Sequence, residues 1–306
     1  MRPTRRRFLT ILAGLPALGL PGPARAGAGA GAPIRGHALG AQVTLHLDHP
    51  QAARLGAQAL RELARLERIF SLYRADSALA TLNRTGQLAD PPPELLECLG
   101  TCAAVHRASG GRFDPTIQPL WAALATAHAA RQRPDPSALA HARTLIGWSR
   151  VRISPQAITL NAGMALTLNG VAQGYVTDKV ATLLRHEGLT VGLIDAGEIV
   201  AIGPDWPVTI ENGPRLRLTD RALATSGPFG TVLDQDGRQG HILSPHVNAP
   251  APVWHSVSVR APTAGLADAL STAGCLMPDL ASLNALVAGF AGCDLVHLNP
   301  VANTRP

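Results

Sequence analysis

The chain offers little to several common functional classes. Its surplus of basic side chains, 27 against 21 acidic, is lopsided: Arg2, Arg5, Arg6, Arg7 and Arg25 precede Gly27 with no acid among them, leaving 22 against 21 in the rest. A nucleic-acid partner requires a clustered basic face, and none remains once those arginines are set aside. The four cysteines lack zinc-finger spacing: Cys98 and Cys102 stand four apart in a helical-looking stretch, while Cys275 and Cys293 flank another. Buried free thiols are expected, with Cys275–Cys293 the one pair worth testing as a bridge in an oxidising compartment. Aromatic residues make up only 4% of the chain, so its core must rest on close-packed Ala, Leu and Gly-rich surfaces rather than on large rings. There is no Walker loop, no G-x-G-x-x-G turn and no internal repeat, and no apolar run beyond the leader is long enough to span a bilayer.

What is present begins at the amino terminus. Thr4-Arg5-Arg6-Arg7-Phe8-Leu9 supplies paired arginines and an apolar pair, Phe8–Leu20 is a mildly apolar run broken by Gly14, Pro16 and Gly19, and Ala24-Arg25-Ala26 is a small-residue cleavage site. Residues 1–26 read as a twin-arginine signal peptide, 27–33 as a flexible Ala/Gly linker, and 34–306 as the folded part. The signal implies the twin-arginine (Tat) translocase as an export partner and a soluble, periplasmic mature protein. Export by that route follows folding, which suits a chain that must acquire a cofactor in the cytoplasm.

Periodicity gives the elements. His37–Leu47 alternates as an edge strand, and helices are expected over Gln51–Leu72, Ser77–Asn83, Glu94–Ser109, Pro119–Arg131, Tyr175–Glu187, Ala264–Leu276 and Ser282–Ala291. Strands are expected at Val151–Ile153, Ala157–Leu160, Ala165–Leu168, Val191–Asp195, Glu198–Ile202, Val208–Ile210, Arg215–Leu218, His255–Ala261 and Leu295–Leu298, with a turn at Thr225-Ser226-Gly227. Strands bunch and helices follow in blocks, which predicts an α+β fold with mixed sheets and packed helices, in one large unit or two closely packed lobes.

Chemistry concentrates in a few places. Asp268 and Thr272 lie one helical turn apart, so a carboxylate and a hydroxyl can converge on one hard cation, with Ser271 adding a third oxygen. The same pattern also occurs on plain solvated helix faces, but here Ala267, Ala269, Leu270 and Ala273 make the helix apolar, where an unpaired acid is costly. Leu168-Asn169-Gly170-Val171-Ala172-Gln173-Gly174-Tyr175 is a glycine-containing turn into a helix, either an ordinary tight turn or one that brings backbone groups close to a phosphate or cation. Gly110-Gly111-Arg112-Phe113-Asp114-Pro115-Thr116 mixes an aromatic, an acid and a base on one loop, which suits a heteroaromatic ring with polar edges. His241, before Ser244-Pro245, can be structural or can act as a base or phosphate ligand.

Taken in order, Phe70-Ser71-Leu72-Tyr73 with Ser77 and Asn83, Gly111–Pro119, Gly170–Asp178, Ala196-Gly197-Glu198, Thr225-Ser226-Gly227, His241–Pro245 and Ala267–Thr272 resemble the ApbE family of FAD:protein FMN transferases over nearly the whole mature chain. The resemblance implies a T-fold-related two-lobed architecture and a Mg²⁺-dependent reaction. FAD is cleaved at its pyrophosphate, FMN is joined to a Thr or Ser hydroxyl of an acceptor protein, and AMP leaves. It further implies that Leu39, Tyr73, Arg112, Phe113, Asp114, Thr167, Gln173 and Leu243 contact FAD. Gly170, through its carbonyl, with Asp268, Ser271 and Thr272 would hold Mg²⁺, and His241 would stand beside the reacting phosphates as the catalytic residue. The twin-arginine leader resembles that of the NosX-like exported branch, which implies a NosR-like membrane protein of nitrous-oxide respiration as acceptor.

The chain departs from the family pattern at several points. Thr167 stands where an acid is usual, Gln173 where Lys or Glu is, Ala196 where a second Gly is common, Ser244 where Asp precedes Pro, and His246-Val247-Asn248 where Arg/Lys-Thr-Gly follows it. These departures leave Asp268 and Thr272 untouched, so catalysis is the leading expectation. Two alternatives stand beside it: a non-catalytic periplasmic FAD carrier, and a FAD pyrophosphatase in which water replaces the acceptor hydroxyl.

Overall fold

Leu55, Ala59, Leu63, Leu66 and Phe70 recur at helical spacing in Ala52–Phe70 and form the buried stripe of α1. Most later helices have a local start signal. Ser77 Oγ accepts from Ala80 N–H and caps α2 (Ala78–Thr85), Pro93 opens α3 (Pro93–Ala108), and Asp135 caps α5 (Pro136–Thr144) through Ser137 N–H. α4 (Gln118–Ala129), α6 (Ala172–His186), α7 (Ala264–Gly274) and α8 (Leu280–Ala288) complete the helices. This is a computed structural model, and it describes residues 32–247 and 249–301. The expected signal peptide lies outside the described residues, as does most of the linker.

Strands β1 (Ile34–Ala38), β2 (Ala41–Leu47), β6 (Gly192–Asp195), β7 (Ile199–Ile202), β10 (Ala222–Ser226), β11 (Trp254–Ala261) and β12 (Asp294–Pro300) form one seven-stranded sheet in the order β1-β2-β6-β7-β10-β11-β12. Every neighbouring pair is antiparallel. On one face, α1 packs on β1 and β2, α6 on β6 and β7, and α7 on β10 and β11. Alternation sorts the side chains: Ile194, Val200 and Ile202 join the main core beneath those helices, whereas Leu193, Ile199 and Ala201 face a smaller core with Val208 and Leu218. Those last two residues belong to a separate ribbon, β8 (Trp206–Thr209) with β9 (Arg215–Leu218), which covers the opposite face. A three-stranded sheet, β3 (Gln87–Ala89), β5 (Ala157–Thr159) and β4 (Arg152–Ile153), packs Ile158 into the main core, and a third core forms around Leu120, Trp121, Leu124 and Leu243. The fold is α+β, as expected.

Several sequence expectations change in detail. His37–Leu47 is a hairpin rather than one strand, because Leu39 (φ 48°) and Gly40 (φ 81°) make a left-handed turn. Ala165–Leu168 is extended but pairs with no strand: Leu166 N–H donates to the Asn83 side-chain oxygen (2.7 Å), Asn83 Nδ2 donates to Leu166 O (2.8 Å), and Thr167 N–H donates to Pro115 O (2.8 Å). A side-chain amide has taken the place of a neighbouring strand. Thr225-Ser226 closes a central strand instead of turning, β8–β9 stands apart from the main sheet, and α5 fills a stretch to which periodicity assigns nothing. All four cysteines are free, so Cys275 and Cys293 are not bridged. Among the described residues no helix is long and apolar enough to cross a membrane.

The α6–α7 crossing sets the rest of the site. A Cβ on Gly174 would fall 2.2 Å from Ala264 O, and one on Gly265 would fall 3.2 Å from Tyr175 Cα, so the backbones nearly touch. Asp178 of α6 locks the contact, accepting from Ala264 N–H (2.7 Å) and Gly265 N–H (2.8 Å) at the α7 amino terminus. An alanine inside a helix ordinarily stabilises it by about 1 kcal/mol relative to glycine. Gly174→Ala should do the reverse, costing about 1–3 kcal/mol through overpacking against fixed backbone. Chemical unfolding reads the sign, and a stabilised variant would show that the two helices do not meet so closely.

Candidate functional site

The α6–α7 contact aims one face of α7 at the loop before α6. A Cβ on Gly170 would lie 2.9 Å from Thr272 Oγ1, which places the Gly170 backbone against that hydroxyl. Asp268 is buried, and its Oδ2 accepts from Gly174 N–H at 3.3 Å. Ser226, at the end of β10, reaches the same face: its Oγ lies 2.7 Å from Ser271 Oγ and 3.1 Å from Thr272 Oγ1. Gly170, Thr272, Ser271 and Ser226 therefore meet, and Asp268 stands one turn earlier on α7, against Gly174. Gln173, in the first turn of α6, lies instead against Gly197, where an added Cβ would fall 3.3 Å from its Nε2.

This neighbourhood is rich in buried acid. Burial pushes the Asp268 carboxyl up to about 7, against a single opposing N–H from Gly174, and the nearby Asp178 adds to the rise. Glu198, at the entrance to β7, is 7% exposed; burial first, then the charges of Asp268 and Asp195, hold its carboxyl well above the usual range. Asp178 is pushed up to about 6, again by burial. Among the described residues, no three His, Cys, Asp or Glu side chains cluster as a ready metal cage. A cation here would draw on mixed oxygen donors, one carboxylate with hydroxyls and a backbone carbonyl. Hard cations that retain phosphate or water ligands are bound in that way.

A cavity of about 400 Å³ adjoins this face. Arg112, Leu243, Ser244, Arg143, Arg238 and Met277 are among its lining residues. Cys275, which ends α7 and also lines it, donates its thiol to Ser226 O at 3.4 Å and so ties the cavity to the α7 cluster. The Arg143 Nη1 atom is buried with no partner. The cavity is thus apolar-floored and cationic, beside a cluster that is acidic.

The other predicted site residues divide. Of Arg112, Phe113 and Asp114, Arg112 lines the cavity, while Phe113 is buried in the main core. Asp114 holds the loop itself together: Oδ1 accepts from Thr116 N–H (2.8 Å) and Thr116 Oγ1 (2.6 Å), and Oδ2 accepts from Trp148 N–H (3.3 Å). Thr167 Oγ1 accepts from Asn169 N–H (3.3 Å) in the turn leading to Gly170. Leu39 packs half-buried against the main core at its strained turn. Tyr73 is 37% exposed between α1 and α2, and among the described residues no hydrogen bond or ring contact joins it to the α7 face. His241 sits between cavity-lining Gly240 and Ile242. Its Nδ1–H donates to Pro228 O (3.1 Å) and Thr231 O (3.2 Å), and these two carbonyls outweigh the longer approach of Thr231 N–H (3.3 Å). That leaves Nε2 with the lone pair, and burial lowers the ring's pKa, which favours the neutral base.

The profile of the ApbE family matches residues 39–292. The chain belongs to the ApbE family. It is 30% identical over 277 residues to a FAD:protein FMN transferase of Treponema pallidum (strain Nichols), spanning 79% of this chain and 76% of that one. It is 26% identical over 254 residues to a protein of the same name from Salmonella typhimurium, spanning 74% and 72%. Among solved structures, the ApbE protein from Thermotoga maritima shares the fold with a TM-score of 0.78 at 23% identity, over 89% of this chain and 97% of that one.

Within this ApbE-family chain, sequence reasoning passed over three residues that build the site. Ser226, Glu198 and Asp178 each fall inside a motif noted for other reasons, but only the tertiary arrangement sets β7 beside β10 and β10 beside α7. Asp178 also makes a pH prediction. Its folded value of about 6 exceeds the ordinary 3.8, so its contribution to stability is complete below that ordinary value and is lost as pH rises through 6. Asp178→Asn should therefore flatten the fall in melting temperature between about pH 4 and pH 7 relative to the parent. Parallel profiles for the two proteins would show that this carboxyl titrates normally in the fold.

Proposed function

We propose that this protein is a FAD:protein FMN transferase, using Mg²⁺ to move FMN from FAD to a Thr or Ser hydroxyl of an acceptor protein with release of AMP. The observation that carries the proposal is the meeting of Gly170, Ser271 and Thr272, with Asp268 one turn earlier on α7, beside a cavity lined by Arg112 and Leu243. The names of the curated relatives support it. Gly170 O, an Asp268 oxygen and the Ser271 and Thr272 hydroxyls are the donors that would hold Mg²⁺, and the buried acid of the site suits a divalent cation. When bound, the ion supplies neutralisation of charge on the diphosphate.

The protein's own residues account for the remainder. Arg112 brings a guanidinium to the cavity, complementary to phosphate or to the polar edge of a flavin. His241, with Nδ1–H held by two carbonyls, presents Nε2 as the acceptor for the proton of the attacking hydroxyl. In the transfer, a new P–O bond forms between the FMN phosphate and the acceptor oxygen as the P–O bond to AMP breaks, and the hydroxyl proton passes to His241. The twin-arginine leader supports a periplasmic site of action after export by the Tat translocase, and it favours a NosR-like membrane protein as the acceptor.

Mature protein incubated with FAD, Mg²⁺ and an acceptor fragment should add the mass of FMN to that fragment and release AMP in equal amount. Free FMN with an unmodified acceptor would mark a pyrophosphatase, and FAD bound but intact would mark a carrier. Asp268→Ala should abolish AMP release while the protein stays folded, and His241→Gln should cost less, because charge neutralisation outweighs any single base in such transfers. Full turnover by Asp268→Ala would remove that residue from the site.

A further inference from the structure

Asp268 is the sole formal negative charge among Gly170, Asp268, Ser271 and Thr272, whereas the cation they would hold carries two positive charges. A second carboxylate lies close by. Glu198 is 93% buried by its 7% exposure, and its Oε2 is one of three buried side-chain atoms with no hydrogen-bond partner among the described residues. The β7–β10 register sets Leu223 opposite Ile199, so Glu198 stands beside the end of β10 that carries the Ser226 hydroxyl bonded to Ser271 and Thr272. A buried acid kept with one oxygen unsatisfied is costly unless something in the working protein satisfies it.

We propose that Glu198 is a positioning residue of the cation site, supplying through Oε2 the second negative charge that a divalent ion requires, by way of a bridging water or the Ser226 hydroxyl. The inference rests on the cation reading of the α7 face given above and extends it to a residue on the sheet. Carboxylates of this kind orient the direct ligands and set cation affinity, and their loss typically weakens binding about 10-fold to 100-fold.

The test is Mn²⁺ alone, titrated into the mature protein and followed by the electron paramagnetic resonance of the free ion. Glu198→Gln keeps the shape of the side chain and removes its charge. It should weaken Mn²⁺ binding at least about 10-fold, with the metal-free melting temperature unchanged or raised, while Glu198→Asp, which keeps the charge, should stay within about threefold of the parent. Equal affinity for the parent and Glu198→Gln, in a protein whose binding is lost in Asp268→Ala, would overturn this inference and leave the cation site standing. Equal losses in the Gln and Asp variants would overturn it too, by making shape rather than charge the cause. No Mn²⁺ binding by the parent would overturn both readings together. Should Glu198→Gln not fold, Glu198→Met is read in the same titration, with the same losses expected.

Discussion

The backbone-to-backbone contact of α6 with α7 is the constraint on which the site depends. Only glycine at 174 and 265 lets the two helices approach so closely, and only then can the two oxygens of Asp178 reach the first N–H groups of α7. That cap fixes the rotation of α7 about its own axis. Rotation decides everything further along, because the face that Asp268 and Thr272 share meets Gly170 and Ser226 only if the helix is neither turned nor slid. With α7 held, Gly174 N–H meets Asp268 and Ser226 meets both hydroxyls. The same helix contact that organises the core thus also sets the geometry of the chemistry, and one cannot be loosened without the other.

Charge is sorted across the site in a way that composition conceals. The folded part of the chain is nearly neutral, yet four carboxyls, Asp178, Asp195, Glu198 and Asp268, are all shifted upward by burial around one end of the sheet. Arg112, Arg143 and Arg238 line the adjoining cavity. Among the described residues, two buried side-chain atoms with no hydrogen-bond partner, Glu198 Oε2 and Arg143 Nη1, fall on opposite sides of this divide. An acid-rich wall suits a cation and a guanidinium-rich wall suits an anion. A ligand that carries phosphates into such a site with its own counter-ion meets complementary charge on both sides.

Sequence pattern disclosed the fold class because alternation and helical spacing are local properties. The stripe of α1 and the two faces of β6 and β7 are written in consecutive residues and needed no tertiary information. The oxygen-bearing side chains of α7 were legible for the same reason: Asp268, Ser271 and Thr272 lie within about one turn of each other. What pattern could not supply was adjacency across the sheet. β7 and β10 are neighbours although Glu198 and Ser226 stand 28 positions apart in the chain, with the β8–β9 ribbon between them. The segment at Ala165–Leu168 shows the complementary failure, since its apolar run reads as a strand while Asn83, more than eighty residues earlier, provides the hydrogen bonds a strand partner would have made.

The loop at Gly110–Thr116 marks the limit of reading chemistry from residue type. An aromatic, an acid and a base on one loop look alike on the page, yet the fold gives each a different task. Phe113 fills the core, Asp114 binds the loop to Thr116 and Trp148, and Arg112 is left to face the cavity. The division has a physical cause. A short loop that leaves α3 through Gly110 and Gly111, both with positive φ, must satisfy its own backbone before it can serve a ligand, and a carboxylate is well suited to that work. Asp114 therefore contributes by fixing the loop that carries Arg112, so the loop acts as a scaffold for one half-buried cation rather than as a set of three equal contacts.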